Sequence, residues 1–202
     1  MPATIDYYFA PQSPWTYLGH ARFMALARAA GARVVPMPAD LGRVFPVSGG
    51  LPLAKRAPQR QAYRLVELRR FADHLGLSLN VKPAHFPVPA DDAARLLIAV
   101  DAHDGTDAAM ALAGTVMRGV WADERNIAEI TTLEQMLVEH GLPPARLDDA
   151  GAPAIQERYD AHTQKAIDHG VFGAPTYVID GEMFWGQDRL DFVARRLGQA
   201  GA

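Results

Sequence analysis

The stretch Ser13-Pro14-Trp15-Thr16 lies between an apolar run, Ile5 to Phe9, and an Ala-rich segment with helical spacing, Pro14 to Ala30. This order predicts a strand, a tight turn and a helix. Serine is a favoured N-cap, and proline suits the first helical position because its missing N–H has no partner there anyway. A side chain at this cap lies at the positive end of the helix dipole, beside free backbone N–H groups. The turn is therefore suited to stabilise an anion or a thiolate.

The same turn has the spacing of Cys-Pro-x-Cys, the redox turn of thioredoxin-like proteins, with Ser13 and Thr16 at the two cysteine positions. These residues keep the helix cap but remove the dithiol. The whole chain of 202 residues contains no cysteine, which excludes dithiol redox chemistry, a structural disulfide and a zinc–thiolate site. From the four residues alone, an ordinary capped helix is the favoured interpretation.

Composition narrows the class of protein further. Hydrophobic residues make up 49% of the chain and charged residues 21%, as in ordinary soluble globular proteins. The net charge of −3 gives no reason to expect nucleic acid or an acidic membrane as a partner. The N-terminus has no signal-peptide pattern and no stretch is long enough to span a membrane, so we expect a cytoplasmic protein. Histidines and carboxylates show no metal-ligand spacing, and we expect no metal.

Strands are predicted at both ends of the chain. A helix separates the strands expected at 5–9 and 33–38, so these two pair in parallel. Near the C-terminus, Thr176–Ile179, the turn Asp180-Gly181 and Met183–Trp185 form a predicted hairpin. One sheet built from both ends gives an α/β fold, a thioredoxin-like domain interrupted by an all-helical insertion.

The middle of the chain is predicted to be mostly helical. Residues 39–58 are rich in glycine and proline and are expected to be irregular, and such long segments are often functional. The predicted domains are a discontinuous thioredoxin-like domain, 1–38 and 171–202, and a loop-plus-helical insertion, 39–170. Helices are expected at 59–75, from Asp91 or Asp92 to 103, from Thr106 or Asp107 to 121, from Thr131 or Thr132 to 141, at 154–169, and after Asp188 at 189–197.

Three runs carry a family resemblance. They are Ser13-Pro14-Trp15-Thr16-Tyr17-Leu18, Gly170-Val171-Phe172-Gly173-Ala174-Pro175-Thr176, and Asp180-Gly181-Glu182-Met183-Phe184-Trp185-Gly186-Gln187-Asp188-Arg189-Leu190. Together they resemble 2-hydroxychromene-2-carboxylate isomerase, a family related to the kappa class of glutathione transferases and, more distantly, to bacterial periplasmic thiol–disulfide oxidoreductases. The resemblance covers nearly the whole chain, and its C-terminal run is the most specific of the three.

The resemblance implies glutathione as cofactor, with Ser13 near its sulfur. Ala174, followed by a cis-proline at Pro175, is expected to offer its backbone to the glutathione cysteine. The family also implies a homodimer. In place of the asparagine that commonly contacts the organic substrate in a Thr-Gly-Asn run, this chain has Ser48-Gly49-Gly50. The residues expected to hold the γ-glutamyl end are Trp185, Gly186, Gln187 and Asp188.

The chemistry of the turn is consistent with that implication. A free thiol has a pKa near 8.5 and is mostly protonated at neutral pH. The Ser13 hydroxyl and the helix dipole both favour the thiolate, and the dipole alone lowers the pKa by up to about 1.5. A thiolate that adds to a conjugated double bond permits rotation before it leaves, so we expect a cis–trans isomerase of an aromatic carboxylate. Without a nearby base, Ser13 itself is not expected to be the nucleophile.

The aromatic carboxylate requires a cation and a ring-binding surface. Arg43, Lys55 and Arg56 are the candidate cations, although solvated surface charge is the favoured alternative for any one of them. His85 and Phe86 are candidates to flank the substrate ring, with loop packing as the alternative. Gly50 is the remaining substrate-binding candidate.

Two other functions stay open at this point. A kappa-like glutathione transferase would activate the same thiolate but release an adduct that carries the mass of glutathione. A non-catalytic protein that binds a thiol peptide or a partner chain would keep its binding in a Ser13→Ala variant. Product mass and that variant separate the three possibilities.

Overall fold

The first strand–turn–helix unit forms around the capping serine, as predicted. The computed structural model describes residues 2–199 of the chain. Strand β1 (Thr4–Phe9) leads into a turn closed by a bond from the Ser13 N–H to the Ala10 carbonyl at 2.9 Å. Helix α1 (Pro14–Ala29) follows, and strand β2 (Arg33–Pro38) pairs in parallel with β1.

The C-terminal hairpin completes the sheet. Strand β3 (Thr176–Ile179) and strand β4 (Glu182–Trp185) are joined by Asp180 and Gly181, whose φ values of 50° and 81° fit a two-residue hairpin turn. Strand β3 lies antiparallel to β1, and the sheet order is β2-β1-β3-β4. The two ends of the chain therefore form one sheet, which confirms the predicted α/β thioredoxin-like fold with an inserted helical segment.

Helices account for most of the remaining chain. None of the helices within residues 2–199 combines the length and the apolar character needed to cross a membrane. Short 3-10 helices lie at Leu53–Lys55 and Gln187–Arg189. The α-helices are α2 (Leu41–Ser48), α3 (Pro58–Leu75), α4 (Asp91–Asp104), α5 (Thr106–Trp121), α6 (Ile130–Glu139), α7 (Arg146–Ala150), α8 (Pro153–Asp168) and α9 (Leu190–Arg196).

The expectation that residues 39–58 are irregular is wrong for its first half, because 41–48 form α2. Asp40 caps this helix by accepting a bond from the Gly42 N–H at 2.7 Å, and Gly49 ends it with a φ of 77°. Pro46 lies inside α2, where proline normally breaks a helix. A short helix loses few bonds to such a proline, so the turn-forming residues misled the prediction.

Several predicted caps lie at one of the first three positions inside their helices instead of at the cap. Thr106 is the first residue of α5, and its hydroxyl donates to the Asp101 carboxylate at 2.7 Å instead of capping. Acidic residues in a first turn still favour the positive end of the helix dipole, which explains their position without a capping bond. The N-cap positions of α4, α5 and α6 are occupied by Ala90, Gly105 and Glu129. At α9 the N-cap is Arg189, and the predicted cap Asp188 lies one position earlier, in the preceding 3-10 helix.

The hydrophobic core joins the strands to the inserted helices. The Tyr7 ring of β1 stacks on Tyr177 of β3 with centroids 5.4 Å apart. His20 of α1 accepts a bond from the Tyr7 hydroxyl at 3.2 Å and donates to the Met110 carbonyl of α5 at 2.9 Å. Burial lowers the pKa of His20, which keeps the ring neutral in this arrangement. The helical segment is thus packed directly against the helix that Ser13 caps.

Candidate active site

The Ser13 turn and the Ala174-Pro175 loop are in contact, although they come from opposite ends of the chain. The Ser13 hydroxyl oxygen accepts a bond from the Thr16 N–H at 3.3 Å, and the hydroxyl donates to the Ala174 carbonyl at 3.4 Å. The Ala174–Pro175 peptide bond is cis, as the sequence resemblance implied. The side chain of Ser13 is buried, at 8% exposure, directly at the start of α1.

The C-terminal run, Asp180 to Leu190, contacts this loop at Gly186. The Gly186 N–H donates to the Pro175 carbonyl at 2.9 Å, which fixes the end of β4 against the cis-proline. Gly186 has a φ of 104°, and a Cβ there would lie 2.5 Å from the Asp188 Oδ1 atom. Only glycine therefore fits this position without displacement of Asp188.

Gln187 and Asp188 are held in different ways. The Gln187 side chain is fully buried and its Oε1 accepts a bond from Arg22 of α1 at 3.0 Å. The Asp188 carboxylate is exposed and pairs with Arg189 at 2.6 Å. The side chain of Gln187 thus anchors the run to α1, whereas Asp188 presents its carboxylate at the surface of the site.

A cavity of about 530 Å³ lies between α3 and the C-terminal run. Of the predicted cofactor-binding residues, Ser13 and Pro175 are not part of its lining, but both adjoin Ala174, which is: Pro175 follows it in the chain, and the Ser13 hydroxyl donates to its carbonyl. The cavity is lined by Trp15, Arg56, Gln59, Arg60, Tyr63, Arg64, Glu67, Phe71, Ala174 and the whole of Trp185–Arg189.

A second cavity of about 430 Å³ adjoins the first, and Arg56, Arg60 and Trp185 border both. Trp185 packs edge-on against Phe172, with ring centroids 4.8 Å apart. A Cβ on Gly50 would lie 2.4 Å from the Phe45 ring, so the ring occupies the space of a side chain there. The other residues that line this cavity are Ser48, Gly49, Leu51 and Ala57.

The predicted substrate-binding residues are only partly brought together. Gly50 lines the second cavity and Arg56 lines both, whereas Arg43 pairs with Asp160 of α8 at 2.7 Å on the surface. Phe86 packs against the Trp121 ring, 4.8 Å away. Within residues 2–199, the exposed side chains of Lys55 and His85 border neither of these two cavities.

One face of α3 contributes site residues that sequence reasoning missed. Arg60, Arg64 and Glu67 recur at intervals of three and four residues, the spacing that places side chains on one side of a helix. This periodicity was visible in the sequence, but a charged helical face ordinarily indicates solvent. Tyr63 and Phe71 lie on the same face.

The lining of the first cavity is positively charged, with four arginines against two carboxylates. Both carboxylates already have arginine partners, since Glu67 pairs with Arg70 at 2.9 Å and Asp188 with Arg189. Hydrogen bonds from Tyr63 and Arg70 hold the pKa of Glu67 below its usual value. The cavity therefore favours an anionic ligand.

Burial makes the arginine charges of this site less stable than those on the surface. It lowers the pKa of Arg64 to about 10, with a further contribution from the charge of Arg56. Burial also lowers the pKa of Arg56, and the charge of the neighbouring Arg60 lowers it further.

In the part of the chain that the structure describes, no group of three or more His, Asp or Glu side chains is placed to hold a metal ion.

Comparison with known proteins defines the class first. Residues 4–198 match the family of DSBA-like thioredoxin domains, and the chain belongs to this class. A probable DsbA oxidoreductase from Streptomyces coelicolor superposes with a TM-score of 0.76 at 20% identity, over 96% of this chain and 88% of that one, a likeness of fold alone.

Relatives of higher identity narrow the class to one family. A curated relative from Pseudomonas putida named 2-hydroxychromene-2-carboxylate isomerase is 30% identical, over 96% of this chain and 94% of that protein. A protein of the same name from Sphingobium xenophagum is 29% identical, over 98% and 99% of the two chains. A solved structure of 2-hydroxychromene-2-carboxylate isomerase superposes with a TM-score of 0.82 at 28% identity, over 96% and 94%. The chain therefore belongs to the 2-hydroxychromene-2-carboxylate isomerase family, an enzyme family, which confirms the resemblance found in the sequence.

Proposed function

We propose that the protein is a glutathione-dependent isomerase of the 2-hydroxychromene-2-carboxylate type, which interconverts the cis and trans forms of a conjugated aromatic carboxylate. The observation that carries the proposal is the contact between the Ser13 hydroxyl and the Ala174 backbone at the start of α1, in a chain without cysteine. This arrangement keeps the place and the electrostatics of a redox turn but leaves the sulfur to be supplied by a ligand.

The site fits glutathione in size and in charge. A cavity of about 530 Å³ lies in the range of small-molecule sites, and its surplus of arginines suits a peptide with two carboxylates. The Asp188 carboxylate suits the γ-glutamyl ammonium group, and the exposed Trp185 ring suits the peptide stem. These residues, with Gly186, Gln187 and the Ala174-Pro175 pair, are the proposed cofactor-binding set.

When bound, glutathione supplies a thiolate that adds reversibly to a conjugated double bond. The Ser13 hydroxyl, which donates to the Ala174 carbonyl in this structure, would donate to that sulfur instead, and the N-terminus of α1 would stabilise its negative charge. Ser13 has no histidine or carboxylate as a hydrogen-bond partner among the described residues, so its role is to orient and stabilise the sulfur. The second cavity shares Arg56, Arg60 and Trp185 with the first, and the aromatic substrate is proposed to lie across this common border, with Gly50 on the side of the second cavity.

Calorimetric titration with reduced glutathione tests the cofactor. We expect binding to the wild-type protein, and weaker binding to Asp188→Ala by roughly tenfold, as for the loss of a charged hydrogen bond. Asp123→Ala is the matched control, because Asp123 also pairs with an arginine but lies outside the cavity lining. Ser13→Ala should retain glutathione but lose most turnover. Absence of glutathione binding, or full turnover by Ser13→Ala, would overturn the proposal.

Product mass separates isomerisation from conjugation. An isomer has the mass of the substrate, whereas the product of a kappa-like transferase gains the mass of glutathione. A protein that binds glutathione and turns over no conjugated aromatic acid would instead be the non-catalytic binding protein.

The homodimer and the cytoplasmic location stay predictions from the sequence. Sedimentation analysis of the purified chain tests the homodimer.

A further inference from the structure

Arg64 is the most enclosed cation of the first cavity, and the sequence analysis did not predict it as a substrate-binding residue. Its guanidinium lies 5.3 Å from the centre of the Phe86 ring and 5.6 Å from that of Trp121. Phe86, predicted to flank the substrate, instead lies beneath Arg64. Trp121 is fully buried and its indole N–H donates to the Gln12 carbonyl at 3.2 Å, next to Ser13. Arg64 is therefore held in the same framework as the capping turn.

The charge of Arg64 is not neutralised by the protein. Among residues 2–199 it makes no ion pair, and the two carboxylates of the cavity pair with Arg70 and Arg189. Aromatic faces stabilise a guanidinium but leave its charge and its N–H donors available at the edge. Burial and the nearby Arg56 lower the pKa of Arg64 to about 10, so the group stays a cation at neutral pH and is stabilised by an anion.

We infer that Arg64 binds the carboxylate of the aromatic substrate, in the place of the surface cations Arg43 and Lys55. This inference rests on the proposed function, since it names the group that recognises the acid. The substrate is favoured over a glutathione carboxylate because the lining of the first cavity also contains aromatic side chains, among them Trp15 and Phe71, which pack edge to face with ring centroids 6.0 Å apart. A planar guanidinium also matches the planar carboxylate with two parallel hydrogen bonds.

The test compares trans-cinnamate, a conjugated aromatic acid, with its neutral amide, trans-cinnamamide. Calorimetry on the full chain should show that the wild-type protein binds cinnamate more tightly than cinnamamide. Arg64→Met should weaken cinnamate binding roughly tenfold to a hundredfold and leave the amide unchanged. Arg69→Met is the matched control, because Arg69 is exposed on the same helix and does not line the cavity, so its effect should stay within about twofold.

Outcomes for glutathione distinguish the two proposals. Wild-type protein that binds cinnamate through Arg64 but does not bind glutathione would overturn the proposed function and support the role of Arg64. Arg64→Met that loses glutathione and keeps cinnamate would overturn the inference, and so would equal binding of the acid and the amide. A failure of cinnamate to bind wild-type protein would also overturn it.

A measurement on the wild-type protein covers the case in which Arg64→Met does not fold. The Nε–H resonance of Arg64, assigned with Arg64→Lys, should move on addition of cinnamate and stay in place with cinnamamide. An unmoved resonance at saturating cinnamate contradicts the inference.

Discussion

At the scale of single residues, small side chains decide the shape of the site. Gly173 has no unusual φ, yet a Cβ on it would lie 2.5 Å from the Trp185 Nε1 atom. Trp185 borders both cavities and is half exposed, so it moves at little cost to folding. The absence of a methyl group at Gly173 therefore sets the position of a ring that borders both cavities.

Gly173→Ala should weaken glutathione binding several-fold with little loss of stability, because the Trp185 ring must turn away from the added methyl group. Gly173 is buried, but the group that must move is the half-exposed Trp185 ring, so the free energy of unfolding should fall by no more than about 1 kcal/mol. Calorimetry and thermal unfolding measure the two effects. Gly151→Ala is the control, since Gly151 lies in an exposed turn far along the chain from both cavities. Unchanged glutathione affinity in Gly173→Ala would contradict the steric argument.

At the scale of secondary-structure elements, α5 supports the turn that Ser13 caps. The last residue of α5, Trp121, is fully buried and donates its indole N–H to the Gln12 carbonyl. The Asn80 N–H donates to the carbonyl of Trp121 at 2.6 Å, which ties the link between α3 and α4 to the same point. The inserted segment is thus tied by hydrogen bonds to the turn that Ser13 caps.

Trp121→Phe should reduce the free energy of unfolding by roughly 2–4 kcal/mol, because it removes buried volume and leaves the Gln12 carbonyl without its partner. Urea unfolding measures this loss. The variant should also bind glutathione more weakly, since the Ser13 turn loses its support. Phe86→Leu removes packing from the same ring without removing a hydrogen bond and provides the comparison. A loss from Trp121→Phe no larger than that from Phe86→Leu would contradict the role of the indole N–H.

At the scale of the whole molecule, two histidines are held in the neutral form by the parts of the fold that surround them. His20 joins α1, β1 and α5, as described above. The Nδ1 atom of His162 in α8 is buried and has no hydrogen-bond partner among the described residues. Burial, followed by the charge of Arg158, lowers the pKa of His162 to about 4, although Asp101 opposes this effect. Both rings are therefore neutral in the folded protein at pH 7.

The free energy of unfolding should fall as the pH is lowered from about 6.5 to about 4. In this range the unfolded chain binds a proton at His162 and the folded protein does not, so stability rises with pH. Each pKa unit between the folded and the unfolded state corresponds to about 1.4 kcal/mol. The lowered pKa of His162 should therefore reduce the free energy of unfolding by up to about 3 kcal/mol when the pH falls to about 4. Urea unfolding at several pH values measures the slope, which should flatten in His162→Gln. The control His74→Gln replaces an exposed histidine and should leave the slope unchanged.

Local signals in the sequence were sufficient for the fold and for part of the site. The Ser-Pro cap, the Asp180-Gly181 turn and the strand patterns at both ends predicted the sheet, because these depend on backbone preferences of a few neighbouring residues. The contact between Ser13 and Ala174 followed only from the family resemblance, since 161 positions separate the two residues.

The sequence alone determined that the protein has a capped, cysteine-free turn on a thioredoxin-like scaffold, and that any reactive sulfur must come from a ligand. Only the tertiary structure decided which basic side chains line the first cavity. Arg43, Lys55 and Arg64 look equally basic in the sequence, but Arg43 pairs with Asp160, Lys55 is exposed and Arg64 is enclosed between aromatic rings. The reason is physical: the environment of a charge is set by burial and by neighbours distant in the chain, which no local pattern encodes.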